Sequence, residues 1–180
     1  MTLAKNPSPS LKERLQQPGL LVAPGVFSSM VLLDTTSRRP PNAQAMWGDR
    51  IAMAQAGGMA ALIDSTLTRW FTAPFRAANP AIMARIEAGL LATPVAGFCG
   101  CCEAISKVDV FDRLPEIDCP ALVMVGDQDH GTPPEMARLS HQNLRGSQFI
   151  VIPDAAHISN IEQPEFFNRE LLKFLAQQAA

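Results

Sequence analysis

The sequence lacks the features that most directly indicate a membrane protein or a nucleic-acid-binding protein. Its apolar stretches fall well short of the roughly 20 residues that a spanning helix needs, and it has no run of lysine or arginine. Its 15 basic and 17 acidic residues give a net charge of −2, which argues against a phosphate-binding surface. It also lacks the charged-then-apolar pattern of a secretion signal. We therefore expect a cytoplasmic protein with neither a membrane nor a nucleic acid as its partner.

Cysteine is also scarce, and its spacing suits neither a disulfide framework nor a zinc site. Three of the four cysteines fall within residues 99–102, and no second C-x-x-C arm completes a tetrahedral site. The sequence therefore predicts no metal centre. We expect buried free thiols in a reducing compartment, at Cys99, Cys101, Cys102 and Cys119.

What the sequence does contain is the pattern of one α/β domain interrupted by helices. Its 180 residues, 47% of them hydrophobic, are enough for one sizeable core. Short apolar runs predict buried strands at residues 30–34, 121–125 and 149–152. The intervening block shows helical spacing and no convincing strand. The expected organisation is an irregular leader (residues 1–24), a partial core (25–42 and 107–180) and a helical insertion (43–106).

Helix-start signals place crossover helices after the second and third strands. Thr132-Pro133-Pro134-Glu135 matches a capping box with Thr132 at the N-cap, and Gln163-Pro164-Glu165 opens the last helix. An order of strand, helix, strand and helix implies right-handed crossovers between parallel strands. The predicted fold class is therefore α/β, with about three parallel strands and flanking helices.

An acid and a base follow the second and third predicted strands. Asp129 comes after the second strand, and His157 lies in the loop after the third. Reactive groups gather at the carboxyl ends of parallel strands, where an acid can orient a histidine that exchanges protons near neutral pH. Asp127 is a competing acid, and either aspartate would otherwise cap the following helix. His130 and His141 have no comparable placement.

Several short segments from residue 57 onward form a recognisable pattern. They are Gly57-Gly58-Met59-Ala60, Arg69-Trp70-Phe71-Thr72, Leu91-Ala92-Thr93-Pro94, Cys101-Cys102, Asp112-Arg113-Leu114, the acid loop at residues 126–133, and the histidine segment at residues 156–164. On these segments the chain resembles the C-terminal part of α/β-hydrolases of the 3-oxoadipate enol-lactonase group. The resemblance begins near Met30. The acid and histidine loops belong to the whole superfamily, whereas the Arg-Trp-Phe-Thr and Cys-Cys pieces point to enol-lactonases.

This resemblance implies a role for each candidate site residue. Asp129 and His157 would be the acid and base of a Ser-His-Asp triad, and residues 43–106 would form a cap over the active site. Arg69 and Trp70 would hold the carboxylate tail of a small lactone or ester acid from aromatic-ring degradation, since both side chains are donors. In the alternative interpretation Trp70 belongs to the core of the cap and Arg69 faces solvent. The resemblance implies no metal or organic cofactor.

The nucleophile that such a hydrolase needs has no visible place in the sequence. The motif G-x-S-x-G occurs nowhere in it. Neither Ser28 nor Ser29 has a glycine both two positions before and two positions after it. Cys99, in Gly97-Phe98-Cys99-Gly100, has its second glycine one position early. We therefore expect a truncated hydrolase that is inactive on its own.

Two other interpretations remain open at this point. In the first, the chain is a non-catalytic module that self-associates, or complements another chain, through the exposed edge of its first strand. Alternatively, it performs other α/β-hydrolase chemistry, namely ester, epoxide or carbon–halogen cleavage. In that case Asp34, at the end of the first strand, would be the acid that orients the histidine.

Overall fold

The computed structural model describes residues 27–178, so the predicted leader at residues 1–24 lies outside the described residues. Three parallel strands form one sheet: β1 (Met30–Leu33), β2 (Ala121–Gly126) and β3 (Gln148–Ile152). Their order is β1-β2-β3, with Leu32 opposite Val123 and Val123 opposite Phe149. The predicted parallel sheet is confirmed.

Strand β2 forms the centre of the core because every one of its residues is buried. Its sequence is apolar without alternation, as expected for a parallel strand covered on both faces. Val123 and Val125 pack on one face with Leu114 and Leu144. On the other face, Leu122, Met124 and Ile152 pack against Phe174.

Helices occupy most of the chain between and after the strands. Those between β1 and β2 are α1 (Ala43–Gly57), α2 (Ile63–Trp70), α3 (Ala73–Ala78), α4 (Pro80–Leu91) and α5 (Val95–Ile105), with 3-10 turns at Met59–Leu62 and Phe111–Glu116. Helix α6 (Pro134–Asn143) connects β2 to β3, and α7 (Ser159–Glu162) and α8 (Pro164–Gln178) follow β3.

The block from α1 to α5 has a small core of its own. Ala54, Met59 and Leu62 are buried there, with Phe98 packed against them. Gly58 ends α1 with a φ of +68°, a conformation that favours glycine. Residues 43–106 contain helices and no strand, as predicted. That these residues form a separate cap stays a prediction.

No single helix in residues 27–178 is long and apolar enough to cross a membrane. Helices α4 and α5 together have the length and apolar composition of a span, but they are bent by 93° at the break between them.

Two local predictions are wrong. The capping box fails because α6 begins at Pro134 with Pro133 at its N-cap, and Thr132 makes no cap bond to the helix. The Thr132 hydroxyl donates instead to the buried Asp129 carboxylate, at 2.7 Å. All four cysteines are free, but only Cys102 is buried, and Cys101 is exposed.

Candidate active site

The predicted acid and base meet at the carboxyl edge of the sheet. The Nδ1 atom of His157 lies 2.9 Å from Oδ2 of Asp129. The Asp129 side chain has no exposed surface, whereas 21% of the His157 side chain remains accessible. A buried acid therefore holds one side of an imidazole whose other side is available for chemistry.

The loop after β2 fixes the orientation of the Asp129 carboxylate. Its Oδ1 atom accepts hydrogen bonds from the backbone N–H groups of Gly131 (2.8 Å) and Thr132 (2.9 Å). Its Oδ2 atom accepts from the Thr132 hydroxyl and faces His157. Because an ionised carboxylate only accepts, the ring proton of neutral His157 lies on Nδ1 and Nε2 is left as a base.

The same contacts keep Asp129 ionised. Burial raises the pKa of this carboxyl, but the hydrogen bonds from His157 and Thr132, with the charge of His157, outweigh burial and lower the pKa below its ordinary value. An ionised acid stabilises the imidazolium that forms when the histidine takes up a proton.

The other candidate acid and histidines do not take part in this pair. Asp127 accepts a hydrogen bond from the backbone N–H of Ala155 at 3.2 Å. His141 lies 2.7 Å from the Ser147 hydroxyl, and His130 is exposed. The geometry therefore brings Asp129, rather than Asp127, to His157.

Gly126 is what allows the acid and histidine loops to come together. A Cβ atom at this position would collide with the backbone carbonyl oxygens of Ala155 and Ala156, just before His157. The last residue of β2 must therefore be glycine for the two backbones to approach this closely.

Gly126→Ala is expected to lower the free energy of unfolding by about 1–3 kcal/mol, because the backbones must separate. Urea unfolding measures this change. Gly89→Ala is the matched control, since its added Cβ meets no atom within 4 Å and alanine favours the helix there. Equal midpoints for wild type and Gly126→Ala would contradict the close approach.

A second buried acid, Asp34, follows β1 and contacts the same region. It adopts a φ of +46°, which is uncommon for a residue other than glycine. Its Oδ1 atom accepts from the Gly126 N–H at 2.9 Å, and its Oδ2 atom accepts from the Ser159 N–H (3.0 Å) and hydroxyl (2.6 Å). Burial raises the pKa of Asp34, against the lowering effect of these hydrogen bonds. Asp34 thus ties β1 to β2 and to the segment that follows His157.

The two buried aspartates are expected to give stability opposite dependences on pH. The depressed pKa of Asp129 makes its contribution present above the unfolded-state pKa and lost as pH falls through the folded one. The raised pKa of Asp34 makes its contribution full below the unfolded-state pKa and lost as pH rises through the folded one.

Urea unfolding between about pH 3 and pH 7 tests this sign difference, with the unfolded-state pKa of both aspartates taken as about 3.9. The stability difference between wild type and Asp129→Asn should shrink below that pH. The stability difference between wild type and Asp34→Asn should grow as pH falls from 7 toward this unfolded-state pKa. Two parallel curves would contradict the assignment.

A cavity of about 310 Å³ opens beside the acid–base pair. Its lining includes His157 and Thr132 from the sheet edge and Trp47 and Arg69 from the helical block. The predicted binding residue Trp70 is not among the lining residues, and its backbone carbonyl accepts from the Ile158 N–H at 3.1 Å. Trp47, which the sequence did not single out, is the tryptophan at the cavity.

Arg69 is a half-buried cation that forms no salt bridge within the described part of the chain. Its Nε atom is buried and has no hydrogen-bond partner there, and its guanidinium lies 5.5 Å from the centre of the Trp47 ring. Burial, followed by the charge of Arg50, lowers the pKa of Arg69, and the negative charge of Asp129 only partly opposes this. A buried N–H donor normally has an acceptor, so the free Nε of this cation suits an anionic group in the cavity.

The candidate nucleophiles from the sequence lie elsewhere. Ser28 and Ser29 precede β1, and Cys99 lies on α5 against the Met59 and Leu62 cluster. None of the three lines the cavity beside His157. Within residues 27–178, the pair therefore has no serine or cysteine that lines its cavity.

The sheet, the acid loop and the histidine loop together define the class of this protein. Residues 20–164 match the family described as the alpha/beta hydrolase fold. The chain belongs to the α/β-hydrolase family.

Its relatives include enol-lactonases. The chain is 38% identical over 121 residues to 3-oxoadipate enol-lactonase 1 of Acinetobacter baylyi, covering 67% of this chain and 45% of that protein. It is 32% identical over 140 residues to enol-lactonase 2 of the same organism, covering 78% and 52%. The crystal structure of the enol-lactonase from Burkholderia xenovorans LB400 matches with a TM-score of 0.80 at 33% identity, covering 83% and 56%. The chain thus spans about half the length of these relatives, and its resemblance to enol-lactonases is confirmed.

Proposed function

We propose that this chain supplies the acid, the base and the cap of a hydrolase that opens an enol-lactone bearing a carboxylate. The observation that carries the proposal is the 2.9 Å contact between Asp129 and His157 in a cavity that Arg69, with its free Nε donor, also lines. The similarity to proteins named 3-oxoadipate enol-lactonase supports the substrate class.

In this mechanism Nε2 of His157 takes the proton of a serine hydroxyl as the serine oxygen attacks the lactone carbonyl. The ring C–O bond breaks, and the proton passes from His157 to the leaving enol oxygen. His157 then removes a proton from water as the water attacks the acyl-enzyme, and it returns that proton to the serine oxygen as the acyl C–O bond breaks and the acid leaves. Asp129 orients the imidazole and stabilises its charged form throughout.

The helical block between β1 and β2 acts as the cap in this proposal. Trp47 of α1 and Arg69 of α2 form the cavity wall on the side of the helical block. The Arg69 guanidinium would bind the substrate carboxylate, while the Trp47 ring packs beside it. Trp70 supports the wall through its backbone bond to Ile158.

In this proposal the serine comes from residues outside this sequence, since no G-x-S-x-G motif occurs in it. We therefore expect the 180-residue chain to be inactive alone. The test is hydrolysis of an activated ester and of an enol-lactone by the purified chain, beside His157→Ala. His157-dependent turnover by the chain alone would contradict this expectation.

A chimera tests the positive half of the proposal. Residues 27–178 are joined to the remaining portion of the Burkholderia xenovorans enol-lactonase, which we expect to supply the nucleophile. Turnover of the enol-lactone that His157→Ala abolishes would support the assignment. A folded chimera without such turnover would overturn it.

A different function is favoured by the edge of β1. Among residues 27–178 this strand pairs only with β2, and Val31 is 36% exposed. An open strand edge can pair with a strand of another copy, so self-association is the alternative function. A discrete dimer in size-exclusion chromatography would support it, and a monomer would count against it.

Other hydrolase chemistry, with Asp34 as the acid that orients the histidine, is the less favoured alternative. The Nδ1 atom of His157 bonds to Asp129, and the hydrogen bonds of Asp34 go to Gly126 and Ser159. In the chimera, a loss of turnover in Asp34→Asn equal to that in Asp129→Asn would restore this alternative.

A further inference from the structure

Glu162 is a buried acid that the proposed mechanism does not use. Only 7% of the residue is exposed, and it lies at the end of α7, five positions after His157. Its Oε1 atom accepts from the Thr72 N–H (2.9 Å) and the Thr72 hydroxyl (2.7 Å). Its Oε2 atom accepts from the Ala156 N–H at 2.6 Å. One carboxylate therefore joins the helical block to the residue just before His157.

A second bond joins the same two segments on the other side of His157. The Ile158 N–H donates to the carbonyl oxygen of Trp70 at 3.1 Å. Both chain neighbours of the histidine are thus tied to residues 70–72. That short segment follows directly after Arg69, which lies in the last turn of α2.

Residues 71 and 72, which the His157 loop contacts, are fixed by burial and by hydrogen bonds of their own. Phe71 is 1% exposed, and its N–H donates to the Leu67 carbonyl at the end of α2. Thr72 is the N-cap of α3, where its hydroxyl accepts from the Phe75 N–H at 3.3 Å. A displacement of the His157 loop would therefore have to move the end of α2 as well.

We propose that Glu162 is a positioning residue that locks the His157 loop to the helix end bearing Arg69. It thereby fixes the distance between the catalytic base and the anion-binding cation, which sets where a substrate carboxylate lies relative to the reacting carbonyl. The inference rests on the roles proposed above for His157 and Arg69.

The chemistry of the position requires a carboxylate. Three donors converge on two oxygens, and an ionised carboxylate accepts at both without donating. No basic side chain in residues 27–178 lies within ion-pair distance of Glu162. Glutamine would turn an NH₂ group toward Thr72 or Ala156 and leave at least one buried donor without an acceptor.

Nuclear magnetic resonance of the 180-residue chain tests the proposal without requiring turnover. The readout is the rate at which the Nδ1 proton of His157, which faces Asp129, exchanges with water. The chain has only three histidines, so His157→Ala identifies the signal. Glu162→Gln is expected to accelerate this exchange at least about tenfold, because loss of an anchoring bond increases local opening.

The controls separate positioning from general destabilisation. Glu165→Gln, an exposed change three residues away, should leave the exchange rate unchanged. Backbone amides of β2 report global unfolding, and they should keep their wild-type exchange rates in Glu162→Gln. Thr72→Val should also accelerate exchange of the His157 proton, whereas Thr72→Ser, which keeps the hydroxyl, should restore the wild-type rate.

Two results would overturn the proposal. One is a folded Glu162→Gln chain whose His157 proton exchanges within about twofold of the wild-type rate. The other is equal acceleration at His157 and in β2, which would make Glu162 a purely structural residue. Failure of the hydrolase chimera would leave these measurements intact, so the two proposals fail by different observations.

Discussion

Asp129→Asn is expected to lower turnover of the enol-lactone chimera by about 10⁴-fold, the effect of placing the histidine in the wrong tautomer. The backbone bonds from Gly131 and Thr132 require an acceptor at the Oδ1 position. Asparagine satisfies them with its carbonyl oxygen and so directs its NH₂ group toward His157. The ring atom Nδ1 must then accept, and the proton moves to Nε2, the atom that should act as the base.

Asp127→Asn is the matched control for this prediction. It removes the same charge two residues earlier, and the asparagine oxygen can still accept from the Ala155 N–H. Turnover should stay within about tenfold of wild type, since the tautomer of His157 is unchanged. A larger loss in Asp127→Asn than in Asp129→Asn would show that the acid had been assigned to the wrong residue.

The acid–base pair could be predicted from sequence because its position depends on strand ends alone. The apolar run of β2 is buried on both faces, and a residue that follows such a strand must emerge at the carboxyl edge. The same reasoning places His157 after β3. No knowledge of side-chain packing was needed to bring Asp129 and His157 together.

Trp47 and Glu162 could not be found in the same way because their roles depend on tertiary packing. Trp47 lies on α1, and its place at the cavity depends on how α1 packs beside α2, which the helical pattern does not encode. Glu162 contacts Thr72, 90 residues earlier in the chain. In the sequence alone, an acid just before a helix start is interpreted as a surface charge near the helix N-terminus.

Thr132 shows how a tertiary contact can override a local capping motif. The sequence Thr-Pro-Pro-Glu matches the capping pattern, but the Thr132 hydroxyl lies beside the fully buried Asp129 carboxylate. A charge-assisted hydrogen bond is stronger than a neutral one, and the helix begins two residues later. Asp129, the competing partner, lies only three residues before Thr132. Its burial, however, depends on the assembled sheet, which the local sequence does not show.

Arg69→Gln is expected to lower kcat/KM of the chimera by about 100-fold for an enol-lactone with a free carboxylate. Hydrogen bonds to charged groups contribute about 1.5–3 kcal/mol, and 1.36 kcal/mol corresponds to tenfold in rate. The Nε atom of Arg69 is buried without a partner in the described residues, so a bound carboxylate would supply its missing acceptor. The uncharged methyl ester of the same lactone should lose less than about fivefold.

Arg76→Gln is the control for removing an arginine from the helical block. Arg76 also has a buried Nε atom without a partner in the described chain, but it does not line the cavity beside His157. The kcat/KM of Arg76→Gln should equal that of wild type for both substrates, because the charge of Arg76 lies outside the proposed binding site. Equal losses on the charged and the uncharged lactone in Arg69→Gln would mean that Arg69 supports the cavity wall and does not bind the substrate. A loss confined to the charged lactone identifies the guanidinium as the group that binds the carboxylate, since only that interaction differs between the two substrates.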